Sequence, residues 1–395
     1  MSRSPERVLY VLFRYPQRSQ TFVRDEIHAL RDSGVTVGVI SLDDPGPDAP
    51  SAEWAGASEL VKRPPLHRGI RDLCWWLTHH PARTFHFVVA VIREPGRRGY
   101  ALRRAPTLAR HLRAQEWPHV HAHFVWNTAT VAAGIARLLD VPSTITVHAK
   151  DIYAQRPSTV RRRLALFDAL VTVCHFNVGY MTGAKMIPRH LRPRVVCCGV
   201  ARCEETAGGP SRCDIVTVGR LVDKKGIDVL LHAIALLRPQ VRATLRIVGD
   251  GPERGSLEAL AEELGLADQV TFVGALAHQE ALETIRTGRL FCLASRPTSD
   301  ADSDAMPVVI REAMALGVPV VATRLAGIPE SVDEQVGWLV DPGSATALAA
   351  ALQEALGNRD DAALRGEAGR DRAVTRWSFA TQSRDLRDVF GSVAS

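Results

Sequence analysis

Acidic residues recur at short intervals in the run LASRPTSDADSDAMPVVIREAMALGVP, residues 293–319. Asp300, Asp302 and Asp304 precede Pro307, and Glu312 follows Asp304 by eight positions. Pro307 predicts a helix start, because a proline at the first helical position gives up an N–H that has no intrahelical partner. The free N–H groups of such a turn, with the positive end of the helix dipole, suit an anion such as phosphate. Upstream, GRLVDKKGIDVLL (219–231) follows a predicted strand and opens a helix. Arg220 and Lys225 thereby reach the carboxyl end of that strand, where open α/β sheets bind ligands, and two cations there suit a diphosphate. Gly219 is read as permitting a tight exit. VGDGP (248–252) is a second strand-to-helix turn, and its Gly249 and Gly251 say only that the turn is tight.

Two further clusters invite a metal. Asp300, Asp302 and Asp304 form an oxygen-rich loop of the kind that binds hard divalent cations. Arg220, Lys225 and the helix start already supply the positive charge such an ion would bring, so no metal is expected. His119, His121 and His123 alternate, and on a strand all three point to one face. That face offers nitrogen ligands for zinc. No clear carboxylate partner accompanies them in the sequence, so a polar strand end beside a cleft is the plainer reading.

These residues require an alternating scaffold. Residues 8–13 and 35–42 are apolar, β-branched runs, and between them residues 21–32 place Phe22, Val23, Ile27 and Leu30 at helical spacing. Strand, helix, strand predicts a parallel βαβ unit. Residues 43–57 read as a surface loop, and the following stretch to about 115 as helical with breaks at prolines and glycine. Alternation resumes with strands at 119–124, 143–148, 169–173 and 194–198, giving a doubly wound domain. A second series, with strands near 214–218, 243–248, 269–273, 290–293 and 318–322, follows a Gly-rich and Pro-containing stretch. The expected organisation is an N-terminal Rossmann-like domain (1–200, with a helical basic segment 62–115) and a linker (201–213). A second Rossmann-like domain (214–375) and a C-terminal helix (376–395) that crosses back to the first domain complete it.

Composition excludes several classes. The chain has 395 residues and a formal net charge of +6, yet residues 62–113 alone carry twelve Lys and Arg against Asp72 and Glu94, leaving the remainder net acidic. That segment, with Trp75, Trp76 and the apolar run 85–92, is a candidate for peripheral contact with an anionic membrane. No nucleic-acid reading module is recognisable. Seven cysteines without a C-x-x-C pair make neither a disulfide framework nor a zinc ribbon. No window is long and apolar enough to span a bilayer, and residues 8–13 are too few for the apolar part of a signal peptide. A cytoplasmic protein, peripheral at the inner face of the membrane, is the expectation.

GRLVDKKG, VGDGPE, FVG (272–274), PVVIREAMALGVPVVAT (307–323) and GWLVDP (337–342), in this order and spacing, resemble glycosyltransferase family 4 over residues 214–358. YPQRSQTFVRDEI (15–27), HVHAHF (119–124) and TVHAKDIY (146–153) are similar to its exopolysaccharide and colanic-acid branch. The resemblance implies the GT-B fold, two Rossmann-like doubly wound parallel-sheet domains facing across a cleft, the first (1–200) on the acceptor side and the second (214–375) binding the nucleotide-sugar. It also implies retaining transfer of a hexosyl or N-acetylhexosaminyl group, most readily from a UDP-sugar, to a glycan acceptor. By position, Arg220 and Lys225 would neutralise the diphosphate, Glu312 hold the ribose, Asp304 contact the transferred sugar and His148 face that sugar. Gly219, Gly249, Gly251, Val273, Ala305, Met306, Pro307 and Val308 complete the implied donor side; Ser19, Gln20, Thr21, His121 and His123 are candidates on the acceptor side. The chain departs from the family where Asp304-Ala305 replaces the usual Glu-Gly, and where YPQRSQTF replaces a pair of glycines. Transfer to a small natural product such as an aminoglycoside, a UDP-sugar epimerase or hydrolase, and an idle nucleotide-sugar binder are the alternatives.

Overall fold

The computed structural model describes residues 4–17, 20–46, 64, 68–92, 98–201, 213–237, 241–298 and 303–394. The chain forms two compact units, Met1–Gly199 with Phe379–Ser395, and Val200–Ser378.

The first unit runs β1 (Arg7–Arg14), α1 (Thr21–Asp32), β2 (Thr36–Asp43), α2 (Gly69–His79), α3 (Pro81–Ile92), α4 (Arg98–Leu112) and β3 (Val120–His123). It continues with α5 (Asn127–Leu139), β4 (Ser143–Val147), α6 (Ala149–Tyr153), α7 (Pro157–Leu164), β5 (Ala169–Thr172), α8 (His175–Gly183) and β6 (Arg194–Val195). Its sheet is parallel, in the order β2-β1-β3-β4-β5-β6. Helices cover both faces, so the strands read as unbroken apolar runs: Val8 to Leu12 are each at most 1% exposed. Helix α1 buries Val23, Ile27 and Leu30, and with them Glu26, on the face it turns to the sheet.

One expectation for the basic segment is corrected. Trp76 is a core residue, 1% exposed, and its indole N–H donates to the Pro106 carbonyl at 3.0 Å. Trp75 lies under the guanidinium groups of Arg110 and Arg113, at 4.7 and 5.5 Å from its ring centre. An amphipathic helix presents the same pattern whichever way its apolar side faces, and here the tryptophans join α2 to α4. Ile70, Leu77, Phe85 and Ile92 are the exposed apolar side chains of α2 and α3.

The second unit runs β7 (Cys213–Val218), α9 (Ile227–Leu237), β8 (Leu245–Val248), α10 (Arg254–Glu263), β9 (Val270–Gly274), α11 (His278–Arg286) and β10 (Gly288–Leu293). It ends with α12 (Val308–Ala315), β11 (Val320–Thr323), β12 (Gly337–Val340), α13 (Ala345–Gly357) and α14 (Arg359–Arg376). Its parallel order is β12-β11-β10-β7-β8-β9. β12, part of GWLVDP, adds an edge strand that the apolar-run reading had passed over. Helix α14 buries only small residues, Ala362, Gly366, Gly369 and Ala373, and this lets it lie close against α12. The last helix, α15 (Phe379–Ser392), packs Leu386, Val389 and Phe390 into the first unit's core beside α1.

Candidate functional site

In the second sheet the chain builds outward from β7 through β8 and β9, then returns to the other side of β7 with β10 and builds outward through β11 and β12. Loops leaving the carboxyl ends of β7 and β10 therefore diverge, and such a switch point opens a crevice. Arg220 and Lys225 lie on the first of these loops, Asp304 on the second, with Glu312 in the helix that follows. Pairing of β10 with β7, Phe291 opposite Val216, brings the two loops together. Arg296 clasps them. Its backbone N–H donates to the Lys224 carbonyl at 2.9 Å, and its guanidinium pairs with Asp223 and with Asp228, the latter at 2.7 Å.

The implied donor residues do not all stand free. Lys225 Nζ donates to Asp304 Oδ2 at 2.7 Å, Lys224 Nζ lies 3.5 Å from Oδ1, and the Ser295 hydroxyl donates at 3.1 Å. Burial pushes the Asp304 carboxyl up, but Lys225 and Lys224 outweigh it and hold the group below the usual carboxylate range. Arg220 is exposed, with no side-chain partner among the described residues. Glu312 is partly buried, and its Oε1 lies 2.8 Å from His278 Nε2 at the start of α11. His278 stands four residues beyond the FVG motif and nothing in its own neighbourhood marks it; Ser295 and Arg296 were passed over likewise. Asp300 and Asp302, the other members of the suggested metal loop, lie outside the described residues.

Backbone geometry reassigns the glycines. Gly219 has no left-handed conformation, and a Cβ there would meet only the flexible Lys225 stem at 3.3 Å. The tight position is Gly249, at φ +141°, where a Cβ would fall 1.9 Å from the Gly219 carbonyl oxygen; at Gly251 it would fall 2.3 Å from that of Leu221. These two let the loops after β7 and β8 touch, and so fix the backbone that carries Arg220. Pro307 precedes α12 with ψ 118°, an extended value, so it caps the helix from outside and Val308 is the first helical residue. Met306 and Ala305 are buried, Met306 Sδ accepting from the Ser331 hydroxyl at 3.2 Å and the Ala305 carbonyl from Gly327 N–H at 2.8 Å. Arg311, 1% exposed, donates to the same hydroxyl and lies over Trp377, which anchors the helix bearing Glu312. Val273, on β9, is 37% exposed.

The first sheet reverses between β1 and β3. At that switch point His119, His121 and His123 point to one face, as alternation requires, but the face is covered. Tyr10, α1 and Phe390 of α15 pack on it, and all three rings are at most 1% exposed. His121 and His123, expected on the acceptor side, therefore line no open surface. They also have the carboxylate that the local sequence lacked: Glu26 Oε1 lies 2.9 Å from His123 Nε2 and 3.9 Å from His121 Nε2. His148, half-buried at the end of β4, sits between the Phe22 and Phe124 rings with Nε2 3.1 Å from His123 Nδ1. Its backbone N–H and that of Val125 donate to Asp151, each at 2.7 Å. Burial, then the neighbouring His123, drives the His148 ring well below the usual imidazole range and keeps it neutral; burial pushes Asp151 up to about 7 against the pull of its N–H donors. Gln20 and Thr21 start α1 at the edge of this region, and Ser19 lies outside the described residues.

Residues 19–202 match the family model "Glycosyltransferase Family 4", and residues 210–372 match "Glycosyl transferases group 1". A GDP-mannose-dependent alpha-(1-6)-phosphatidylinositol monomannoside mannosyltransferase of Mycobacterium tuberculosis is 37% identical over 177 residues, 44% of this chain and 46% of that relative. The amylovoran biosynthesis glycosyltransferase AmsK of Erwinia amylovora is 32% identical over 182 residues, 46% of this chain and 45% of that relative. The chain thus spans about half the length of the curated relatives it matches. Among solved structures, Anabaena Alr3699/HepE in complex with UDP-glucose superposes with a TM-score of 0.73 at 19% identity, covering 98% of this chain and 99% of that one. Sucrose-phosphate synthase from Thermosynechococcus elongatus gives 0.70 at 19%, covering 98% of both chains. With two family models in tandem and this fold over nearly its whole length, the chain belongs to the glycosyltransferases of family 4, built on the GT-B fold.

Proposed function

We propose that the chain transfers a hexosyl group, with retention and without a metal ion, from a nucleoside-diphosphate sugar to a hydroxyl of a cell-surface polysaccharide or glycolipid. The observation that carries this is the switch point of the second sheet. Arg220, unpaired among the described residues, shares the loop after β7 with Lys225, which pairs with Asp304 of the loop after β10, and Glu312 lies in the helix that follows that second loop. A departing nucleoside diphosphate gains negative charge, and fixed cations there stabilise it without reorganising. In this reading Arg220, Lys224 and Lys225 receive the diphosphate, Glu312 accepts from the ribose hydroxyls, and Asp304 and His148 serve the transferred sugar.

The uridine nucleotide suggested by family resemblance has a rival, because the mycobacterial relatives are named for GDP-mannose. Thermal shift with UDP-, GDP- and dTDP-sugars decides between them, since a ligand held by the native state raises its apparent stability by mass action. A chain that none of the sugar nucleotides stabilises would overturn the donor-site reading. Product analysis follows on the best ligand: transfer supports the proposal, epimerisation or hydrolysis supports the alternatives, and binding without turnover marks an idle binder.

A lipid-linked acceptor is the preferred one, through peripheral contact of the basic segment with an anionic bilayer. Ile70, at 70% exposed, and Phe85, at 64%, project from α2 and α3, and Arg71 is exposed beside Ile70. No helix among the described residues is long and apolar enough to cross a membrane. Efficient turnover on a soluble aminoglycoside without membranes would favour the small-molecule acceptor instead.

A further inference from the structure

The buried polar cluster at the switch point of the first sheet has a direction. Glu26, 4% exposed, has three hydrogen-bond partners: the Tyr10 hydroxyl at 2.7 Å and His123 Nε2 at 2.9 Å, both at Oε1, and Gln382 Nε2 at 3.0 Å from Oε2. The Gln382 amide cannot turn over, because its Oε1 accepts the Gly199 backbone N–H at 2.8 Å. It therefore donates to Glu26. Tyr10 donates too, since burial and then the charge of Glu26 hold its phenol well above the usual range. A carboxylate accepting at both oxygens leaves His123 Nε2 as the third donor. With a single ring proton, placed on Nε2 by Glu26, His123 presents a bare Nδ1, and this faces His148 Nε2 at 3.1 Å. His148 must then carry its proton on Nε2, leaving its Nδ1 an acceptor.

We propose that Glu26 and His123 are positioning residues that fix the tautomer of His148, so that its Nδ1 is always offered as a hydrogen-bond acceptor to a hydroxyl group of the substrate. The tautomer stands on the geometry above; its consequence for turnover rests on the reading of His148 in Proposed function. The arrangement follows a general rule, that the partner of one imidazole nitrogen sets the chemistry of the other. Here the rule is applied twice in series, through two rings. Gln382 of α15 locks the far end, so the relay is assembled from residues far apart in the chain.

Glu26, His121 and His123 also place ligand atoms within 4.8 Å of one another, a spacing that would suit a divalent ion. Against this, each is already satisfied within the protein: His121 Nδ1 and Nε2 lie 2.7 and 3.2 Å from the Thr144 and Thr146 hydroxyls.

Nitrogen-15 NMR of the full chain labelled at histidine tests the proposal without a variant. Both rings are expected to carry one proton, on Nε2; a doubly protonated His123, or a His148 proton on Nδ1, overturns it. In His123→Gln the amide can accept from His148 and donate to Glu26, so the Nε2-protonated signal and most turnover of GDP-mannose or UDP-glucose should remain. His123→Phe should give mixed tautomers and a kcat about tenfold lower with KM little changed. If His123→Phe leaves the His148 signals as in the wild type, or if the Gln and Phe variants lose kcat equally, positioning is refuted. Where His123→Phe does not fold by circular dichroism, Glu26→Gln replaces it, since one amide oxygen cannot meet all three donors and the His148 signal should again divide. Titration with Zn²⁺ alone that moves the His121 and His123 signals at one equivalent would overturn the relay in favour of a metal centre. Wild-type turnover in His148→Asn would remove the role of His148 in transfer, while the tautomer result would stand separately.

Discussion

Lys225 Nζ lies 2.7 Å from Asp304 Oδ2, so the cation expected at the donor phosphates and the carboxylate expected at the donor sugar neutralise one another. In the proposed donor site a diphosphate would compete with Asp304 for Lys225, and whatever holds the sugar would have to tolerate that exchange. Asp304→Asn removes the competitor. We expect UDP or GDP to bind about tenfold more tightly, roughly 1.4 kcal/mol. Turnover is expected to fall about a hundredfold if, as proposed, the carboxylate serves the sugar. Calorimetry and steady-state rates separate the two effects; parallel loss of both would mean that the pair is only structural.

Glu312 is expected to act through nucleotide binding. Glu312→Ala removes a charged acceptor, which is worth about 1.5–3 kcal/mol, or roughly 10- to 150-fold in the Kd of the bound nucleotide. His278→Ala, which leaves Glu312 in place but unsteered, should cost less. Equal losses would make His278 a direct partner of the ligand.

Stability is expected to fall with acid before any carboxylate pair is lost. Burial holds His119 down to about 3, and His121 and His148 well below the usual imidazole range, so these rings stay neutral when folded and take up protons when unfolded. Their contribution is present above the unfolded value near 6.5 and drains as pH falls toward the folded ones. Asp151, raised to about 7, works in the opposite sense, because the native state takes up its proton first. The rings outnumber Asp151, so the net effect is a loss of stability in acid, about 1.4 kcal/mol per pH unit for each proton in excess. Urea unfolding at about pH 7 and pH 5.5 measures this. His119 Nδ1 has no partner among the described residues, but Nε2 lies 2.9 Å from the Thr144 hydroxyl, so His119→Phe should flatten the dependence by up to about 1.4 kcal/mol per unit and cost about 1 kcal/mol at neutral pH for the lost hydrogen bond.

If α2 and α3 meet a membrane, Phe85→Ser with Ile70→Ser should weaken sedimentation with anionic vesicles about tenfold and leave urea stability unchanged, since both side chains already face water. Unchanged sedimentation would remove this surface from consideration.

The scaffold was largely legible in the sequence, because strands covered on both faces, such as residues 8–13, have to be apolar at every position. Adjacency of the loops bearing Arg220 and Asp304 was legible only through resemblance, since it depends on β10 returning beside β7. The specific partners were not legible. Glu312 and His278 are 34 positions apart, and Glu26 and His123 97 apart, so neither leaves a local pattern. Trp76 was read as a surface anchor for a related reason: helical periodicity reports that a face is apolar, without reporting what lies against it.

The first unit leaves off at Gly199 and resumes at Phe379. During synthesis, Glu26 and the Gly199 N–H therefore wait for Gln382 until the ribosome has made the entire second unit. Until then a carboxylate stands beside a histidine face without the amide that locks it. An N-terminal fragment stopping near residue 200 should be a poor folder, and proteolysis within α15 should disable the first unit while sparing the second.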